Sequence, residues 1–196
     1  MFIKSSQPEE IDWEKEPDLD EFRRLVELSK FEPQSAVAGF EKLAERNSIA
    51  SMLHLASGYM LGTPAKDSDK AKYWYSLASS QGHKNASMTY GHLCYDSKDY
   101  PTAKIAFERA AHSGDPEAIY FLGLTHLKGK RNGLSRAQGI SLLDRSSKLG
   151  FPFATRDLAI LMITGRLGFS NWVNGVPMLF RSILQTRNIF QSTKRD

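Results

Sequence analysis

The feature that most constrains the fold of this 196-residue chain is an internal repeat. Gly82, Gly114 and Gly150 stand 32 and 36 residues apart, and each is followed by an alanine four residues later. Four residues beyond each alanine comes a large residue, with a small residue directly after it. A period of this length is typical of arrays whose units cannot bury their own apolar face and therefore stack on one another.

The matched positions predict that each repeat is a pair of α-helices. They lie 3, 4, 7 and 8 residues apart, which is the spacing of one helix face. Local signals mark helix starts, as at Asp115 and Pro116, which suit an N-cap and the first helical position. Because no segment alternates with a period of two, we expect no sheet. The sequence thus predicts about five antiparallel helix pairs, with the first and last irregular.

Small residues in the repeat predict close helix contacts and helix ends. One set should let the paired helix approach closely; its members are Ala56, Gly91, Gly123 and Ala159. A second set should end the first helix in the left-handed conformation that favours glycine; its members are Gly62, Ser97, Gly129 and Gly165.

The residues that carry a family resemblance lie in the first complete repeat. Residues 62–83, GTPAKDSDKAKYWYSLASSQGH, follow the helix SMLHLASGY at residues 51–59. This combination resembles the Sel-one-like repeat, a relative of the tetratricopeptide repeat, and looser copies extend the resemblance over roughly residues 33–187. The resemblance implies an all-α fold, a right-handed α-solenoid of antiparallel helix pairs that serves as a scaffold for protein partners.

We predict three regions in the chain. The solenoid should form a single domain over residues 18–191, preceded by an acidic arm at residues 1–17 and followed by a short basic tail at residues 192–196.

The resemblance also implies that the first helix of each pair lines the concave side of the array. Helix geometry then places a set of side chains at exposed inner positions, and this set is rich in aromatic, methionine and leucine residues that suit a groove for a peptide or helix. We predict that a partner protein or peptide binds there, the alternative being that neighbouring repeats or the chain's own tail cover part of this face. The predicted contact residues are Leu53, Met60, Asn85, Met88, His92, Tyr95, Glu117, Tyr120, Leu124 and Arg156.

Charge is divided unevenly along the chain. The net charge is +4, yet residues 1–21 hold eight acids and two lysines, so the remainder carries +10. A basic body suggests an acidic partner, and the alternative is an ordinary solvated surface. Because Ile11 and Trp13 lie inside the acidic arm, we hypothesise that residues 9–17 partly shield the binding surface; the alternative is a simple N-terminal cap.

Neither nucleic-acid binding nor catalysis is favoured by the sequence. Basic clusters fall in loops and on separate repeats, without interleaved exposed aromatics. The five histidines lie in different repeats without a metal-ligand spacing, so we expect no metal, no cofactor and no enzymatic activity. Cys94 and His126 share the repeat position of Tyr59, which predicts a buried cysteine and a hydrogen-bonded core histidine. The alternative functions are an inhibitor of the immunity-protein type that occludes a cognate enzyme, and a hydrolase.

Two further expectations concern location and assembly. No apolar run approaches 18 residues, the N-terminus lacks a signal sequence and the single cysteine cannot form an internal disulfide. Together these features predict a cytoplasmic protein without a membrane span, the alternative being another reducing compartment. The final helix, roughly residues 177–190, carries more apolar residues than can face inward, which indicates a contact for a homodimer or partner. The alternative is that Ile189 and Phe190 fold back onto the last pair.

Overall fold

The structure is a computed structural model that describes residues 11–63, 65–129, 133–167 and 172–192, except the side chains of residues 172, 173 and 185–192. Within these ranges there are ten α-helices, one short 3₁₀ turn at Ala111–Ser113 and no strand. The helices are α1 Leu19–Ser29, α2 Pro33–Glu45, α3 Ile49–Leu61, α4 Ser68–Ser80, α5 Lys84–Asp96, α6 Tyr100–Ala110, α7 Pro116–Lys128, α8 Arg136–Lys148, α9 Pro152–Ile163 and α10 Trp172–Ser192.

The all-α fold and the predicted number of helix pairs are confirmed. Helix α3 packs on α4, α7 on α8, and α9 on α10. The chain divides into two compact units, an N-terminal unit at Met1–Leu93 and a C-terminal unit at Cys94–Asp196, and each is described here by itself. The single domain predicted over residues 18–191 stays a prediction.

The core of the N-terminal unit is built from the apolar faces of α1 to α4. Phe40, Leu55, Ala56, Tyr59 and Trp74 are all at least nine-tenths buried, which agrees with the predicted helix faces. The helix starts follow from local chemistry. The Ser48 side chain caps α3, and the Asp67 carboxylate accepts hydrogen bonds from two backbone N–H groups of α4.

The core of the C-terminal unit depends on a close crossing of α7 and α8. A β-carbon at Gly139 would lie 2.9 Å from the carbonyl oxygen of Gly123, so the two glycines let the backbones touch. Phe107 and Leu143 are fully buried in this unit. The prediction that small residues permit close helix contact is therefore confirmed at Gly123.

Some predicted helix ends differ from the structure. Gly62 (φ 94°) and Gly165 (φ 68°) are left-handed as expected, but the expectation is wrong for Gly129, whose φ is −78°. Glycine is needed at position 129 for space, because a β-carbon there would overlap Leu134. In the second copy Lys98 (φ 64°), not Ser97, takes the left-handed conformation.

The structure describes only part of the predicted N-terminal arm, final helix and C-terminal tail. Helix α10 begins at Trp172, earlier than the predicted start at residue 177. The fold-back of Ile189 and Phe190, residues 1–10 of the arm and residues 193–196 of the tail lie outside the described residues or side chains.

Candidate functional site

The acidic arm is fastened to the N-terminal unit through Glu16. Its carboxylate accepts hydrogen bonds from the backbone N–H of Ala50 at 2.9 Å and from the Ser48 hydroxyl at 2.6 Å. Both groups belong to the start of α3, where a negative charge is stabilised by the helix dipole. Two residues further on, Asp18 caps α1 and forms an exposed ion pair with Arg46 at 3.4 Å. Arm residues near position 16 therefore complete the N-terminus of α3.

Beside the arm, the N-terminal unit contains a surface cavity of about 440 Å³. Two predicted contact residues, Leu53 and Asn85, lie in its wall, together with Ile11 of the arm and Phe22 of α1. The complete lining is Ile11, Phe22, Ala50, Leu53, His54, Ser57, Tyr75, His83, Asn85, Ala86 and Thr89. No Asp, Glu, Lys or Arg is among these lining residues, and most of the wall is apolar.

Aromatic rings support the wall of this cavity. The ring centroids of Trp13 and Phe22 are 6.0 Å apart, and that of Phe22 lies 5.7 Å from that of Phe40. The His54 imidazole packs on Phe40 at 4.2 Å, and its burial lowers the pKa of His54. This shift favours the uncharged form of the His54 imidazole in the cavity wall.

The other contact residues predicted in the N-terminal unit are not part of this wall. Met60 is 39% exposed on the last turn of α3. Met88 and His92 are half-buried on α5. The structure thus brings Leu53 and Asn85 together and leaves these three outside the cavity.

In the C-terminal unit, the expectation that Tyr120 is exposed is wrong. The residue is only 6% exposed, and its hydroxyl donates a hydrogen bond to Oδ2 of Asp157 at 2.8 Å. The rings of Phe121 and Phe151 lie 5.0 and 5.1 Å from its ring. Burial, the hydrogen bond and the negative charge of Asp157 all raise the pKa of Tyr120. Residues of α9 and its N-terminal flank therefore cover a side chain that the repeat pattern places on the surface.

Asp157 also binds Arg156 and so organises this part of the C-terminal unit. The Nε and Nη2 atoms of Arg156 each lie 2.8 Å from Oδ1 of Asp157, and the guanidinium lies 5.1 Å from the centre of the Phe153 ring. The pKa of Tyr95 is raised by burial and by nearby groups that include Asp157. Two predicted contact residues, Tyr120 and Arg156, thus bind one carboxylate.

Asp157 is not among the contact residues predicted from the sequence, although its repeat position gives a signal for it. Its repeat position holds His54, Thr89 and Phe121 in the other copies, so a carboxylate is unusual there. The remaining predicted residues of this unit, Glu117 and Leu124, are half-buried on α7, and Leu124 packs against the core.

The two residues that share the position of Tyr59 are buried, as predicted. Cys94 is fully buried, and His126 is 4% exposed. The expectation that His126 is fully hydrogen-bonded is wrong, because its Nδ1 has no hydrogen-bond partner among the described residues. Burial, followed by the charge of Lys104, lowers the pKa of His126. Within the described ranges, no three histidine, cysteine or acidic side chains are grouped so that they could hold a metal ion.

One face of α10 is apolar and exposed. Its members Val176, Phe180, Ile183 and Leu184 are 49%, 68%, 56% and 52% exposed. In the described part of the chain, no helix is both long and apolar enough to cross a membrane.

Comparison with curated proteins finds a plant relative. The chain is 30% identical over 113 residues to the ERAD-associated E3 ubiquitin-protein ligase component HRD3B of Arabidopsis thaliana. The match covers 56% of this chain and 18% of that protein, so the chain spans about a fifth of its length.

Solved structures share the fold. A Sel1 repeat protein from Oxalobacter formigenes matches with a TM-score of 0.61 and 23% identity, over 76% of this chain and 64% of that one. The protective antigen c5321 of uropathogenic Escherichia coli, which displays an SLR fold, matches with a TM-score of 0.60 and 20% identity, over 86% of this chain and 39% of that one.

The Sel1 repeat family matches the chain directly, at residues 49–83 and 116–151. These ranges contain the helix pairs α3–α4 and α7–α8. The resemblance drawn from the sequence is thereby confirmed, because these two stretches of the chain match the Sel1 repeat.

Proposed function

We propose that the chain is a non-catalytic interaction module that binds a segment of a partner protein on the inner face of its helix pairs. Sel1-repeat proteins are generally protein-interaction modules and typically non-catalytic scaffolds. The plant relative is, by its name, a component of a ubiquitin ligase. Both facts support a scaffold or adaptor role in which the chain holds another protein.

The observation that carries this proposal is the cavity of the N-terminal unit. Its volume of about 440 Å³ lies in the range of natural ligand pockets. It is lined by Leu53 and Asn85, two residues expected to contact a partner, and its mostly apolar wall suits an apolar side chain.

The C-terminal unit carries candidate contact residues of its own. Phe153 and Ile160 are 42% and 44% exposed, and Arg156 lies against the Phe153 ring. Aromatic and arginine side chains are the types that dominate binding energy at protein interfaces. The other predicted contact residues are Met60, Met88 and His92 in the N-terminal unit and Tyr95, Glu117 and Leu124 in the C-terminal unit.

Affinity capture from the native host, followed by mass spectrometry, tests this proposal. Tagged wild-type chain is compared with Leu53→Glu, which places a charge in the cavity wall, and with Tyr73→Ser. Tyr73 is 56% exposed on α4 and does not line the cavity, so it is the matched control. We expect a protein that is retained by the wild type and the control but lost by Leu53→Glu. An unchanged set of captured proteins in all three would contradict the proposal.

The same preparation separates the alternative functions. An enzyme that is captured and loses its activity on binding would favour the inhibitor alternative. Hydrolase activity of the pure chain that depends on its own side chains would overturn the non-catalytic proposal.

An acidic partner, a homodimer through α10 and a cytoplasmic location stay predictions. Sedimentation of the wild type and of Phe180→Glu tests the homodimer.

A further inference from the structure

We propose that arm residues 11–17 form a fixed wall of the cavity in the N-terminal unit, and that this cavity takes a large apolar side chain flanked by basic residues. This inference rests on the proposed function. It adds which segment completes the binding site and which partner chemistry the site selects.

The arm is held in place by contacts at both ends of this segment. Glu16 is bound to Ser48 and to the backbone N–H of Ala50, and the Trp13 ring packs near Phe22. Between them, the backbone turns through a hydrogen bond from the Lys15 N–H to the Asp12 carbonyl at 2.9 Å. Because these contacts are made with α1 and α3, the arm is a defined part of the surface.

Residues 11–17 of the arm border the cavity without filling it. Ile11 is half-buried and lies in the cavity wall, yet about 440 Å³ remains with the arm in this position. A segment that blocked the site would occupy this space. The geometry is therefore that of a side wall, with Ile11 facing the same cavity as Leu53 of α3.

The lining selects an apolar occupant. It contains no Asp, Glu, Lys or Arg, so a charged group entering the cavity would lose its hydration without gaining a permanent opposite charge. The hydroxyls of Ser57 and Thr89 already donate to backbone oxygens of their own helices, each at 3.0 Å. Carbon atoms of Ile11, Phe22 and Leu53 provide apolar contact surface.

The charge of the arm points to basic neighbours on the partner segment. The arm stretch at residues 11–18 holds four acids and one lysine. Glu14 is exposed, and the Asp12 carboxylate is 51% exposed even though it pairs with Lys15. Lysine or arginine beside the inserted apolar residue would therefore meet a complementary potential at the rim of the cavity.

The test is a titration of the ¹⁵N-labelled full chain with the blocked tripeptide acetyl-Lys-Trp-Lys-amide, followed by NMR. We expect saturable shifts at the amide signals of Ala50, Leu53 and Ala86. Replacing the peptide's tryptophan by alanine should abolish them, and acetyl-Glu-Trp-Glu-amide should bind more weakly. Because Ile11→Ala removes apolar contact from the wall, it should weaken acetyl-Lys-Trp-Lys-amide binding about fivefold or more.

Glu16→Gln should weaken binding in the same direction, because it loosens the arm. Glu14→Gln is the matched control, since it removes the same charge from an exposed arm residue and should change the affinity by less than about twofold. If Glu16→Gln compromises folding, Ile11→Ala still tests whether the arm forms a wall of the cavity, because it leaves both hydrogen bonds of Glu16 in place.

Unchanged or tighter binding by Ile11→Ala would overturn the inference, and tighter binding would identify the arm as a plug. Failure of the wild type to bind acetyl-Lys-Trp-Lys-amide would overturn the assigned chemistry. Neither result bears on the proposed function, which is tested separately by the capture experiment with Leu53→Glu and by the activity of the pure chain.

Discussion

The two units carry different side chains at equivalent repeat positions. Leu53 of α3 corresponds to Tyr120 of α7, and His54 of α3 corresponds to Asp157 of α9. In the N-terminal unit Leu53 and His54 border a cavity, whereas in the C-terminal unit Tyr120 is buried and hydrogen-bonded to Asp157. The same repeat backbone thus presents a recess in one unit and a filled surface in the other. The difference lies in a few side chains, so single substitutions can test it.

The largest expected difference follows from truncating the two equivalent residues. Tyr120→Ala removes a buried ring and should lower the free energy of unfolding by about 3–5 kcal/mol. Leu53 is half-buried, and Leu53→Ala should cost only about 1 kcal/mol. Urea denaturation followed by circular dichroism measures both. Equal losses would show that Tyr120 is no more embedded than Leu53.

Removing the carboxylate of Asp157 should have the next largest effect. Asp157→Ala leaves the Tyr120 hydroxyl and the Arg156 guanidinium without their shared acceptor, and we expect a loss of about 1–3 kcal/mol. Asp144→Ala is the control, because Asp144 forms an exposed ion pair with Lys148 that should contribute less than about 1 kcal/mol. A cost for Asp157→Ala no greater than that of the control would argue against an organising role for Asp157.

A smaller effect is expected where the arm meets the N-terminal unit. Glu16→Gln weakens the bonds at the start of α3 and should cost about 1 kcal/mol in the free energy of unfolding. Glu14→Gln removes a charge from the same arm and should be nearly neutral. Thermal unfolding of the two variants checks this expectation, and identical melting temperatures would mean that the Glu16 contacts contribute no stability.

The smallest effect is a pH dependence that arises from His54. Its folded-state pKa lies below the ordinary value of 6.5, so the unfolded chain binds more protons as the pH falls below 6.5. Stability is therefore complete above that pH and decreases on acidification. Denaturation midpoints at pH 7.5 and 5.5 should differ less in His54→Phe than in the wild type. His112→Asn, at an exposed position, should keep the wild-type difference; an unchanged difference in His54→Phe would exclude this origin.

The repeat pattern was sufficient to predict the helix pairs and their cores, because buried positions such as Leu55 and Ala56 recur with helical spacing. Inner positions were harder to predict, because their exposure depends on residues outside the repeat register. Tyr120 is covered by Phe151, which precedes α9. The cavity owes its side wall to Ile11, which precedes the first helix. Neither neighbour follows from the period itself.

The most direct test of the central claim is hydrogen–deuterium exchange of the full chain with and without its captured partner. If the inner face of the N-terminal unit is the binding surface, the partner should slow exchange in segments 11–18 and 49–61. Residues 33–45, none of which lines the cavity, should exchange at an unchanged rate. Slower exchange confined to residues 33–45, with residues 49–61 unaffected, would contradict this account.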